Sequence, residues 1–429
     1  SSVQAVINQA SDGDTSLVEP GIYHQSVYID KENITLKSII KNENRAVFDG
    51  EMKLNDGIIA SGHGSIIDGF EVRGYKGNGI MTQGANNFKI INNIVKGAFY
   101  GIFPQYGKNG LISGNTITGA EDAGVYVGMC DNIDVINNVA HSNVMGLEFE
   151  NTRNALMADN EVYNNSAGIV LTLIPGLPVK TASDIIIRNN QIFDNNLDNF
   201  APKSSIASTV PKGVGLGVVG VDNVTLIDND IKGNANAAII VFDLVTFGLG
   251  EDPKLDPYVD GLQVRENNYV NNGNDPVGVL GDMIAMTGSQ GYEIMDSGKS
   301  RNSCHVNQKN VDSLGADNYA VCAAEFDQSN YKTARFDKPI VSPKYTAEQK
   351  GRLTYLAVCT GCHSYNSVLH GPSIESIKAL YQADAKALQQ YIVAPIRKRQ
   401  DFPEMPPQDY LGVETTKAIA NYILFDLEN

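Results

Sequence analysis

Through most of the first 275 residues, apolar and polar positions alternate in short runs rich in Ile and Val, separated by Asn- and Gly-rich turns. Alternation of this kind predicts strands, and no helical spacing appears within these units. The runs also repeat. Gly79, Gly101, Gly124, Gly146 and Gly168 precede strand-like segments at intervals of 22, 23, 22 and 22. Variants of the phrase Ile-x-Asn-Asn-x-Ile carry their last asparagine at Asn93, Asn115, Asn138, Asn160, Asn190, Asn229 and Asn268, the first four again 22 to 23 apart. A period of about 22 with two or three short strands per unit predicts a parallel β-helix. Each coil would supply one strand to each of three sheets, with coils roughly 4.8 Å apart. Inward side chains would stack, and the repeated asparagine would form a ladder at one corner. A β-sandwich with regular turns does not demand so constant a register.

The asparagine spacing then grows to 30, 39 and 39. The extra residues fall at 174–182, 197–212 and 243–258. The first and third follow equivalent strands, Gly168-Ile169-Val170-Leu171 and Ala238-Ile239-Ile240-Val241, so they should leave the same corner on different coils. Such insertions carry function in many repeat proteins, or they cover the core and dock a second domain; both readings stay open. Gly215-Leu216-Gly217-Val218-Val219-Gly220 matches a dinucleotide fingerprint, but strand-like Val224-Thr225-Leu226-Ile227 follows where that motif needs a helix N-terminus. Nucleotide binding is rejected.

The opening phrase, Val3-Gln4-Ala5-Val6-Ile7-Asn8-Gln9-Ala10 followed by Gly13-Asp14-Thr15 and Pro20-Gly21-Ile22-Tyr23, resembles the first coils of carbohydrate-binding and sugar-hydrolase β-helix proteins. Val3, Val6, Ile7 and Ala10 have the spacing of a short capping helix. A cap matters because an open coil end is a template for aggregation. The resemblance reaches residue 275 and implies a fold, not an activity.

From Lys344 the pattern changes. Thr346 to Val358 reads as a helix with Thr346 as N-cap. It leads into Cys359-Thr360-Gly361-Cys362-His363, the C-x-x-C-H signature of covalent haem attachment. Both thiols would form thioethers, and His363 would ligate the iron. Zinc would need two further ligands, and only His370 and Met405 follow. The last 85 or so residues resemble small class I c-type cytochromes. Gly351 and Tyr355 match that family's first helix, Pro372 its proline beside the proximal histidine, and Met405 in Phe402-Pro403-Glu404-Met405-Pro406-Pro407 its distal ligand loop. The resemblance implies one haem c with His363 and Met405 as axial ligands. Glu414 to Leu427 reads as the closing helix, with Ile419, Tyr422 and Ile423 on one face. The full expectation is a mainly β chain: a right-handed parallel β-helix solenoid over 1–275, end coils and linker over 276–343, and a small all-α cytochrome c domain over 344–429.

Composition narrows the partners. The chain has 429 residues, 33 basic and 49 acidic, for a net charge of −16. The residues from Lys344 onward are neutral in sum, so the part of the chain before Lys344 carries all of it. An acidic body repels nucleic acid and anionic lipid, and it disfavours polyanionic sugars unless a cation bridges. Arg397, Lys398 and Arg399 form the one basic cluster, read as a contact for propionates, the acidic solenoid or a redox partner, or as a solvated loop. No apolar run is long enough to cross a bilayer. Cys304 and Cys322 are expected to pair in an oxidising compartment, and Cys130 to be an inert buried thiol. The chain is therefore placed in the periplasm or outside the cell, with a lipid anchor left open.

Three functions compete. The first is electron transfer to a redox partner protein or another cytochrome, with the solenoid as scaffold. It rests on the haem site alone having a complete set of chemical ligands; the repeats also resemble those of an uncharacterised group of exported β-helix proteins, a resemblance that implies no activity. The second is a polysaccharide-active lyase, epimerase or haem-coupled oxidase on the solenoid, for which Glu148, Glu150 and Asp159, with Lys203 or Lys212, are candidates without a recognisable motif. The third is a structural or assembly role. A copper-enzyme maturation protein shares the general fold, but His24, His63, His141 and His305 are too dispersed to suggest a second metal site. Whether the chain is an enzyme is left open.

Overall fold

A computed structural model describes residues 2–249, 252–306, 311–326 and 339–428. Three sheets of twelve, ten and eleven strands run the length of the solenoid, and neighbouring strands in each pair in parallel. Each coil contributes in turn to the three sheets, the arrangement of a right-handed β-helix. Inward positions stack in register. Ile102, Val125, Leu147, Ile169, Leu216, Ile239 and Ile294 form one such column in the eleven-stranded sheet, and all are buried in a single apolar core.

Two corner ladders hold the coils together. In the first, Asn93, Asn115, Asn138, Asn160, Asn190, Asn229 and Asn267 each pass a hydrogen bond from Nδ2 to Oδ1 of the next. The expected last member, Asn268, is displaced by one residue. Asn267 points inward there, and Asn268 starts an exposed strand. The second ladder, Asn143, Asn165, Asn195, Asn234 and Asn272, was not foreseen. The repeating glycines are a steric requirement: a Cβ on Gly101 would lie 2.4 Å from the carbonyl oxygen of Gly124 on the next coil.

The helix Val3–Gln9 caps the first coil. It buries Val3 and Ile7, while Val6 of the expected face stays exposed. Val214–Val219 is followed by a second strand, Asp222–Ile227, which agrees with rejecting the nucleotide motif. Cys304 and Cys322 form a disulfide between the last coils, and Cys130 is a buried free thiol.

At the C-terminal end the expectation was finer than what is found. Four helices of eight or nine residues, Ala347–Thr354, Ile374–Tyr381, Ala385–Val393 and Val413–Asn421, pack on the solenoid, and no distinct cytochrome domain is shown. Thr346 does cap the first through a capping box with Gln349. A Cβ on Gly351 would lie 2.5 Å from Cβ of Ala418, so glycine permits the close crossing of the first and last helices. A small core of Tyr355, Leu388, Ile392, Ile419 and Ile423 holds the helical segment. Among the described residues, no helix is long and apolar enough to cross a membrane.

Candidate functional site

The outer face of the eleven-stranded sheet is the unusual surface of the solenoid. In the strands Ala123–Gly128, Met145–Glu150 and Ala167–Thr172 every residue is buried, outward ones included. The helical segment and the insertions cover them. Gln105 donates to Thr360 at 3.0 Å, Gln83 to the Tyr410 hydroxyl at 2.7 Å, and the Tyr365 amide to the Gly176 carbonyl at 3.0 Å. Insertions 174–182 and 243–258 meet as expected of neighbours on one corner: Lys180 pairs with Asp252 at 2.6 Å, and Gly176 N donates to the same carboxylate. The insertions thus dock the helices, and they also roof a cleft.

Three carboxyl groups line that cleft. Glu148 and Glu150 lie two residues apart on one strand and so point to the same face. Asp122 immediately precedes the neighbouring strand. All three are buried, at 5%, 6% and 2% exposure. Thr172 donates to Glu148 at 3.3 Å. Glu148 Oε2, Glu150 Oε1 and Asp122 Oδ1 have no hydrogen-bond partner. A buried polar atom without a partner is costly, and native folds tolerate few that serve no purpose. Gly128, in register with Glu150, leaves room for Gln105, since a Cβ there would lie 2.0 Å from its Oε1.

Burial and mutual repulsion set the protonation of this group. Desolvation raises the Glu150 carboxyl to about 7, with the adjacent Tyr126 hydroxyl pulling it back down. Desolvation first, then the neighbouring carboxylates, holds Glu148 and Asp122 well above the usual carboxylate range. Three such groups cannot all ionise together, so their protons come off as a coupled set. Tyr100 and Tyr126 are likewise pushed up by burial and stay protonated donors.

His370 reaches this cleft from the helical segment. Its Nδ1 lies 2.9 Å from the Ser205 hydroxyl and its Nε2 3.6 Å from Asp122 Oδ2. Its ring meets those of Phe99 and Tyr100 edge to face. Burial lowers its pKa to about 4, so it is neutral at pH 7. The free space among these groups is about 50 Å³, little more than one water's share of ~30 Å³.

Of the residues singled out in the sequence, Glu148 and Glu150 come together here. Asp159 lies on an exposed turn and Lys203 is exposed on an insertion, while Lys212 pairs with Asp198. Asp122 and His370 were missed as partners of the glutamates. Asp122 had a signal: it stands in register with Phe99 and Val144, a charge in an apolar column.

Cys359, Cys362, His363, Pro372 and Met405 lie in the helical segment. Both cysteines are free thiols, pushed up to about 12 by burial. Gly361, between them, packs against Phe103, where a Cβ would lie 2.8 Å from the ring. His363 Nδ1 bonds the Pro372 carbonyl at 2.8 Å, and Met405 is half-buried. Lys398 lies over the rings of Tyr381 and Tyr391, while Arg397 bonds loop carbonyls.

The chain was then compared with known proteins. Residues 7–205 match the model of a family described as periplasmic copper-binding protein (NosD). No curated protein matches the chain by sequence. Among solved structures, it resembles the A-module of the mannuronan C-5 epimerase AlgE6 of Azotobacter vinelandii, with TM-score 0.50 and 17% identity over 75% of this chain and 91% of that one. The A-module of AlgE4 from the same organism gives 0.50 and 16%, over 75% and 94%. An alginate lyase from Paenibacillus sp. str. FPU-7 gives 0.48 and 16%, over 64% and 95%. At these identities the likeness concerns the parallel β-helix fold.

The expected covalent haem c is corrected by these findings. The matched family is described by copper and not by haem, and among the described residues no group of three or more His, Cys, Asp or Glu is placed to hold a metal ion. The redox partner expected with the haem falls with it. The same donor test fails for copper, since the histidines His24, His63, His141 and His305 stand on separate coils. No step is routed through either metal.

Proposed function

We propose that this chain is an exported carbohydrate-active enzyme that works by acid–base catalysis on a polysaccharide, with Glu148, Glu150 and Asp122 as the proton-handling groups. The observation that carries the reading is the set of three buried carboxyls whose unpartnered oxygens line one cleft. Its place on a β-helix like those of the two epimerase modules, which act on mannuronan by their names, supports it. The periplasmic description of the matched family supports export.

The chemistry follows from the shared protons. A carboxyl at about 7 is half-protonated at neutral pH, so Glu150 is available there both as a proton donor and as a proton acceptor. Glu148 and Asp122 hold protons against the charge that Glu150 acquires. Tyr126, which lines the cleft, remains a donor able to stabilise developing negative charge on substrate oxygen. Because the cleft has room for a water molecule and not a sugar ring, the roof formed by His370 and the 197–212 insertion must move aside before substrate binds.

The test is a panel of acidic and neutral polysaccharides incubated with the full chain, with products read by mass spectrometry and NMR. Turnover of one class is expected, and it should fall about 10²–10⁴-fold in Glu150→Gln. Turnover that persists undiminished in Glu150→Gln and Glu148→Gln, or no product from any polysaccharide, contradicts the proposal.

A further inference from the structure

A second cavity, of about 440 Å³, lies between the solenoid and the start of the helical segment. That volume is within the roughly 300–1,000 Å³ typical of small-molecule sites. Its far wall is anchored where Asn87 exchanges two hydrogen bonds with the backbone of Ile340, at 2.8 and 2.9 Å.

Among the described residues, the charged side chains lining it are both cationic donors. Lys108 and Arg352 both line the cavity, and neither forms an ion pair among the described residues, whereas Lys37, Arg73, Lys96 and Lys180 elsewhere on this acidic chain each hold a carboxylate. Asn86 spends its carbonyl oxygen on the Lys108 amide at 3.1 Å, and Gln349 spends its own on the Thr346 amide at 2.9 Å. Each therefore has its amide NH₂ group left over. Among the described residues, no Asp or Glu lines the cavity. Tyr106 and Tyr345 add two aromatic rings beside these donors. Two unpaired cations and two spare amide donors ask for an anion with several acceptor oxygens, and a guanidinium matches a carboxylate in a two-pronged fork. The aromatic rings suit the apolar face of a pyranose.

We propose that this cavity is an auxiliary binding site for an acidic sugar, a uronic acid residue whose carboxylate is held by Lys108 and Arg352. The identification of a sugar rests on the carbohydrate reading given above. The site lies apart from the carboxylate cleft and holds substrate without touching the reacting bond. It resolves a tension in the chain, because a body of net charge −16 would otherwise repel a polyuronate.

The test uses the full chain carrying Glu150→Gln, titrated calorimetrically with a uronic acid oligosaccharide and with the neutral oligosaccharide of the same linkage. Binding of the acidic ligand alone is expected, weakened at least tenfold by Lys108→Ala and by Arg352→Ala, and partly retained in Arg352→Lys. Both side chains are exposed, so these variants should fold; circular dichroism checks this. Equal binding of the neutral ligand, no binding of the acidic one, or full affinity in the Lys108→Ala/Arg352→Ala double variant overturns the inference. Its fate separates from that of the enzyme reading. Acidic-sugar binding that depends on Lys108 and Arg352, with no turnover by the unmutated chain, leaves this site standing and removes the enzyme. Turnover without such binding does the reverse.

Discussion

The solenoid and the helical segment that covers it are stabilised in different ways. In the solenoid, each coil repeats the same inward column and the same asparagine corner, so every contact is made again on the next coil. The helical segment has one small core and short helices, and it leans on the sheet through single contacts such as Gln105 with Thr360. Repetition can absorb the cost of a few buried, unpartnered carboxyl oxygens; a segment with one small core has less to spare. The carboxyls sit on the solenoid, and the roof over them is made from the helical segment and the insertions.

The sharpest way to break the comparison is to empty each core. Leu147→Ala removes a member of the inward column and should cost about 2–5 kcal/mol, lowering the denaturant midpoint of the whole solenoid. Ile419→Ala should cost a similar amount within the helical segment alone. Hydrogen exchange should then rise through the helices and the outer face of the eleven-stranded sheet, while the inward strands stay protected. A single transition for both variants would mean that the two regions are one cooperative unit.

Next in size is the disulfide. Cys304→Ser should cost about 2–4 kcal/mol, confined to the last coils and read as faster exchange around the strand Gln263–Arg265, with the N-terminal coils unaffected. Asn160→Ala removes the acceptor of the Asn138 backbone amide and the donor to the Val135 carbonyl, and it breaks the ladder between Asn138 and Asn190. At roughly 1–3 kcal/mol per unsatisfied group, it should lower the solenoid midpoint and leave the helical segment's contacts as they are.

The smallest effect is with pH. Glu150 is raised in the fold from 4.5 to about 7, so between those values the folded state binds more protons than the unfolded one. Stability falls as pH rises through that window. His370 is lowered from 6.5 to about 4, so the unfolded state takes up its proton first, and stability falls as pH drops through that lower window. The two windows overlap and oppose each other between 4.5 and 6.5, so these groups leave the roof's stability nearly flat there, with a loss from about 6.5 to 7 as Glu150 ionises. Melting of the helical segment followed across pH should show the alkaline loss, and Glu150→Gln should remove the part of it that falls near pH 7, leaving the part due to Glu148 and Asp122.

Much of this was readable in the chain, in proportion to how often each signal repeats. The 22-residue interval of Gly79 to Gly168 is enforced by close backbone approach between coils, and the asparagines by ladder hydrogen bonds, so both print a period. Asn267 was misassigned as Asn268 because only a one-residue difference in which side chain turns inward separates them. The second ladder escaped because Asn143 and Asn165 lack the flanking Asn-x-Ile phrase. The cleft was half visible. Glu148 and Glu150 stand two apart on a strand, but their union with Asp122 depends on register, and that with His370 on the docking of a segment more than 200 residues away in sequence. The haem expectation, which rested on Cys359–His363 together with the resemblance of the last 85 or so residues, is the cofactor reading that the comparisons correct.

The most direct test of the central claim is the titration of the Glu150 carboxyl itself, by carbon-13 NMR of glutamate side-chain carboxyls in the full chain, with Glu150→Gln assigning the resonance. A midpoint near 7, coupled to a second carboxyl titrating higher, is the predicted result. A midpoint in the ordinary carboxylate range near 4 would mean that the cleft is hydrated and its carboxyls ordinary surface charges, and the acid–base site would be contradicted.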